Sequence, residues 1–200
     1  QVAIAALVVL PLIELSDFSH LIGFASLGTL VALFGRFAAP ERRGFTVFLC
    51  LLCQTATVFV MSLVAWLELP MVGQLAILAL LCGTLFYIVT VGDFGPPGAL
   101  IFIFAASVSM GQVDTFASVL ERTTATAVAA ALAWLVVMIT DVFRHDTPAA
   151  QDWFKSRPAS HKLIAVARMV LGSAVAAYVA YAFGGQHAGW AAMGAVAVLQ

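Results

Sequence analysis

Polar residues in this chain gather into a few short clusters, and the stretches between them are apolar over lengths that suit a bilayer. A hydrocarbon core about 30 Å thick is crossed by roughly 20 apolar residues in helix. Residues 2–13 open the series and are short for that span. A break at Glu14-Leu-Ser-Asp17 follows, then a second apolar segment over about 18–37. Pro40-Glu-Arg-Arg-Gly44 reads as a polar turn. The third segment covers 45–67 and is closed by Glu68-Leu-Pro70; the fourth covers 71–91. The fifth, 99–110, is too short to cross alone and lies between Gly95-Pro-Pro-Gly98 and Gly111. The sixth, about 115–143, is long enough to tilt or to project from the membrane. Polar residues 144–162 separate it from a seventh segment at 163–183, and an eighth begins near Trp190. The pattern predicts an all-α fold, a polytopic bundle of transmembrane helices.

One sequence element occurs twice. Phe24-Ala-Ser-Leu-Gly-Thr29 returns 166 positions later as Trp190-Ala-Ala-Met-Gly-Ala195, each copy with a histidine just upstream, His20 and His187. Apolar helices carrying an internal repeat are a mark of transporters built from two similar halves. On this reading residues 1–143 form a first transmembrane repeat, 144–162 a cytoplasmic tether, and 163–200 the beginning of a second repeat. Arg36, Arg42 and Arg43 follow the second segment; Arg144, Lys155, Arg157 and Lys162 follow the sixth. Basic residues mark cytoplasmic loops, and the alternate loops hold Glu14, Asp17, Glu68 and Asp114 without Lys or Arg. About six crossings per copy keep both copies in one orientation, so the repeat is expected to be parallel.

Composition agrees with a lipid solvent. Hydrophobic residues make up 63% of the chain and charged residues 10%, with a mean hydropathy of +1.07. A soluble domain carries about 25% charged residues. The formal net charge of -1 comes with no basic patch, which excludes nucleic acid as a partner. Cys50 and Cys53 have the spacing of a redox pair, but their surroundings are wholly apolar, so they read as inert packing residues. The four histidines, His20, His145, His161 and His187, do not share a helix at metal-ligand spacing. No metal, no cofactor and no enzyme chemistry is expected, since nucleophile–base sets and nucleotide-binding loops are also missing from the sequence.

Several residues break the apolar pattern in ways that suit an anionic ligand. Asp93 stands before Pro96, Pro97 and Gly98, which stop any helix and leave the next one to start with free N–H groups, a natural anion site. An ordinary turn with Asp93 in solvent fits the same residues. Glu121 and Arg122 lie about two turns into the sixth segment, where a charge normally faces a cavity or a partner. Arg122 suits a carboxylate, because its guanidinium matches that group in bidentate fashion; snorkelling outward at the membrane entrance is the competing reading. Gln54 and Thr57 fall near the middle of the third segment, placed to bond a substrate or to tie two helices together. A histidine side chain changes charge near neutral pH, which makes His20 and His187 the proton-coupling candidates, with plain interfacial hydrogen bonding as the alternative.

The stretch Gly189-Trp-Ala-Ala-Met-Gly-Ala-Val-Ala-Val-Leu-Gln200, after an Arg-containing helix and a Gly-Gly-Gln-His turn, resembles the second-repeat signature of the fusaric acid resistance, or aromatic acid exporter, superfamily. Phe24-Ala-Ser-Leu-Gly-Thr-Leu-Val-Ala-Leu-Phe-Gly-Arg36 is similar to the matching first-repeat stretch, and Gly95-Pro-Pro-Gly98 to segments of bacterial members. The resemblance implies a multi-pass inner-membrane protein that exports small organic anions, aromatic carboxylates first among them. Plant aluminium-activated malate channels count as distant relatives. The large cytoplasmic domain that many members carry has no room in a tether of this length. Implied partners are the organic anion, membrane lipids and a homo-oligomeric copy. An organic-anion channel of the same architecture and a non-transporting membrane scaffold are the alternatives.

Overall fold

The computed structural model describes residues 1–34, 38, 40–141, 159–185 and 187–199. These form eight α-helices and no strand: α1 (Val2–Glu14), α2 (Ile22–Thr29), α3 (Pro40–Trp66), α4 (Met71–Gly92), α5 (Leu100–Val108), α6 (Phe116–Thr140), α7 (Ala159–Ala182) and α8 (Ala188–Leu199). Short 3-10 turns at Ser19–Leu21 and Leu30–Leu33 flank α2. Four helices are long and apolar enough to cross a bilayer, over Glu41–Trp66, Met71–Gly92, Phe116–Thr140 and His161–Ala182. That is the make-up of a multi-pass membrane protein. The basic and aromatic residues of the 144–158 stretch, Trp153 and Phe154 among them, lie outside the described residues, as does Arg36.

The second apolar segment differs from the expected continuous span. It is split into a 3-10 turn, the eight-residue α2 and a second 3-10 turn. A row of apolar residues tells which solvent a segment prefers, but not whether its backbone runs straight. Here the neighbours decide. Gly28 brings α2 so close to α6 that an added Cβ would lie 2.5 Å from the Thr126 carbonyl oxygen and 2.7 Å from the Ala129 Cβ. Thr126 donates to the Phe24 carbonyl at 3.2 Å, and Gln54 on α3 donates to the Leu27 carbonyl at 3.2 Å. α2 is therefore held between α3 and α6 by its own main-chain acceptors.

Pairwise contacts give the order of the bundle. Arg43 at the start of α3 forms an ion pair with Asp141 at the end of α6, and Gln1 donates to Thr140 at 3.0 Å. Trp134 Nε1 donates to the Gly44 carbonyl at 2.9 Å in the same region. At the other end Trp66 meets Phe116 with ring centroids 5.3 Å apart. α3 and α6 are thus antiparallel along their whole length. α4 and α7 form a second antiparallel pair, with Tyr178 donating to the Val72 carbonyl at 2.9 Å and Val170 packed over Gly83. The short α5 sits among α3, α4 and α8. Phe34, Phe94 and Phe102 fill the space at its N-terminus, with Phe34 stacked on Phe102 at 5.0 Å.

Arg43 departs from its expected place in a solvent-facing loop. Helix α3 begins at Pro40, so Arg43 is in its first turn, only 5% exposed, bonded to Asp141 and to the Ala38 carbonyl.

Candidate functional site

The candidate residues fall into three places rather than one. Gln54 and Thr57 lie within about a turn of the middle of the 27-residue α3, one of the helices long and apolar enough to cross a membrane. Gln54 is fully buried. Its Nε2 is committed to Leu27, while its Oε1 has no hydrogen-bond partner among the described residues. Thr57 turns its hydroxyl back to the Cys53 carbonyl at 2.7 Å, the usual arrangement of a threonine inside a helix. Leu27, Val58 and Ala105 surround this zone, with Phe24, Leu30 and Phe104 packed against them. Helices α2, α3 and α5 therefore converge on Gln54.

The second place is the end of the bundle where α1 hands over to α2. His20 Nε2 stands 3.5 Å from the Glu121 carboxylate. Arg122 turns to the other side of α6. It donates to the Gln112 carbonyl at 2.7 Å and, at the limit of bonding distance, to the Gly111 carbonyl at 3.5 Å. Its guanidinium carbon lies 5.0 Å from the centroid of the Phe24 ring, a cation–π contact. Arg122 thus fastens the α5–α6 connection to α2 while keeping donors to spare, since a guanidinium has five. His187 lies at this end too, in a separate cavity of about 490 Å³ with Ser107, Met110, Tyr181 and Trp190. Ser107 Oγ donates to the Gly189 carbonyl at 3.1 Å, and Trp190 meets Phe104 edge to face at 6.0 Å.

The third place holds Asp93, Pro96, Pro97 and Gly98. Asp93 ends α4 in the left-handed conformation with φ +56°, and Gly95 and Gly98 also have positive φ. The Pro96–Pro97 peptide is cis. The residues make a tight turn into α5, whose first turn is buried behind Phe34 and Phe102.

Leu27 carries no signal of its own in the sequence, whereas Phe104 is one of four aromatic residues, with Phe86, Tyr87 and Phe102, that the sequence offers to pack against an aromatic ring. Phe104 packs against the Leu27–Val58–Ala105 cluster with Phe24 of the first copy and stacks edge-on against Trp190 of the second. Phe24 and Trp190 open the two similar sequence stretches, and Phe104 lies in contact range of both. Among the described residues no group of three or more His, Cys, Asp or Glu is placed to hold a metal ion. Cys50, Cys53 and Cys82 are free thiols. Protein-family models, curated proteins and solved structures contain no match to this chain.

Proposed function

We propose that the protein is a secondary transporter that exports small organic acids, aromatic carboxylic acids in particular, across the inner membrane, with the basic loops on the cytoplasmic side. The observation that carries this reading is Gln54. A free, fully buried acceptor near the middle of α3 stands beside a helix, α2, that is too short to cross. Short or interrupted apolar segments in corresponding positions of two repeats point to a substrate site between them. The eight-residue α2, flanked by 3-10 turns, is such a segment in the first sequence copy.

The chemistry follows from burial. A carboxylate taken into a low-dielectric interior is driven to its protonated form. A neutral acid has a hydroxyl to donate, and Gln54 Oε1 is an acceptor without a donor. Phe24 and Phe104 supply apolar faces for an aromatic ring, and Trp190 extends that wall towards α8. Arg122, at the end of the bundle away from the basic loops, meets the acid on the exit side, where it regains its charge. Access to Gln54 requires α5 and α8 to move relative to α2, because Gln54 is closed off in this conformation.

The test is efflux of 4-hydroxybenzoate from proteoliposomes, with and without an imposed pH gradient. Saturable efflux that depends on the gradient is expected, and Gln54→Leu should lower it at least tenfold while the protein stays folded. Unsaturable, voltage-driven current would mean a channel. Unchanged transport in Gln54→Leu would remove Gln54 from the substrate path.

A further inference from the structure

An apolar groove of about 300 Å³ runs along the outer surface of the bundle between α1 and α6, with Leu12 and Val128 exposed on its walls. Its walls are Val9, Leu12 and Ile13 on one side and Val128, Ala129 and Leu132 on the other, and Glu121 stands at its head. Two features identify what fits it. The first is length. From Glu121 to Leu132 the helix rises about 16 Å at 1.5 Å per residue, close to half of a hydrocarbon core about 30 Å thick. The groove is as long as one leaflet. The second is charge. Glu14 and Asp17 are exposed near the Glu121 end, and no Lys or Arg lines the groove. The nearest cation, Arg122, is turned away onto Gln112 and Phe24.

We infer that this groove is a binding site for one acyl chain of an aminophospholipid, with the lipid's primary ammonium held on the Glu121 carboxylate. The apolar walls take the chain, Ala125 and Ala129 leave room for it, and the carboxylate selects the head. His20, 3.5 Å from Glu121, is placed on the rim where the lipid phosphate arrives. A primary ammonium carries three hydrogen-bond donors to a carboxylate. A quaternary ammonium carries none, and a glycerol headgroup adds net negative charge beside three carboxylates. Selection should therefore run phosphatidylethanolamine first, phosphatidylcholine next and phosphatidylglycerol last.

Native mass spectrometry of the full chain tests this, after delipidation in detergent and addition of the three dioleoyl lipids in equal amounts. Retained phosphatidylethanolamine at five times or more the level of either competitor is the expected result. Glu121→Gln should bring that preference below twofold while total bound lipid stays the same. Ala125→Phe should remove bound lipid of every class by filling the groove. A lipid-exposed helix face accommodates that change, which size-exclusion profile and melting temperature would verify. Equal retention of the three lipids, or a preference unchanged in Glu121→Gln, would overturn the assignment. So would a dimer that Ala125→Phe dissociates, since the groove would then belong to a second copy of the chain.

Discussion

The Arg43–Asp141 pair shows how much a single residue's meaning depends on a partner far away in sequence. Arg43 is 98 positions from Asp141, and no local pattern connects them. By sequence Arg43 is a loop cation that helps to set orientation; in the fold it is a buried tie between the ends of α3 and α6. Removing one member of a buried pair leaves the other charge without its counter-ion. Asp141→Leu should therefore destabilise the protein by about 2–3 kcal/mol, at or below the range for a fully buried pair, because the Asp141 side chain is still 28% exposed. The double variant Arg43→Met/Asp141→Leu should recover most of the loss, since it removes both desolvation penalties. Thermal unfolding in detergent measures both. A single variant as stable as the parent would show that the pair carries no net energy. Gln54 was legible as a polar residue near the middle of the third apolar segment; that only its Oε1 is left over was not, because the bond to Leu27 exists only once α2 is broken and seated.

At the scale of elements, α5 and α2 mark what a sequence pattern carries. The shortness of α5 was legible: Gly95-Pro-Pro-Gly98 stops the chain on one side and Gly111 on the other. The break in α2 was not, because its apolar run holds no proline and the cause is contact with α3 and α6. Gly28 is the residue through which that contact acts. Gly194, which stands at the matching place in the similar stretch Trp190–Ala195, is exposed and has no atom within 4 Å of the place a Cβ would take. The two positions are equivalent in sequence and opposite in surroundings. Gly28→Ala should cost on the order of 1–3 kcal/mol, as other over-packed positions do, because it meets the Thr126 carbonyl oxygen, the Ala130 nitrogen and the Ala129 Cβ, none of which can swing aside. Gly194→Ala should be neutral or stabilising by up to about 1 kcal/mol through helix propensity. Melting temperatures of the two variants settle the comparison, and equal shifts would show that the tight α2–α6 contact does not limit stability.

For the whole molecule, the proposed transport cycle makes a demand on the joint between α5 and α8. Gln54 is closed off in this conformation, and Phe104 and Trp190 make the wall that a ring would pass. If substrate passes there, α8 must separate from α5 once per cycle. The contact between them is close: a Cβ on Gly189 would lie 3.2 Å from the Ser107 Cβ. That is just short of the 3.5–4.5 Å usual across a disulfide, so a small adjustment lets Ser107→Cys/Gly189→Cys form one. The native thiols Cys50, Cys53 and Cys82 would first be replaced by alanine, and the cross-link made in that background. Oxidation should then lower organic-acid efflux at least tenfold, and a reductant should restore it; either single cysteine variant should be insensitive to both. Reversibility separates a locked joint from a damaged fold, because a misfolded protein does not regain flux on reduction. Undiminished efflux with the cross-link fully formed would mean that α5 and α8 move as one body, and that the path to Gln54 opens on the α2 side instead.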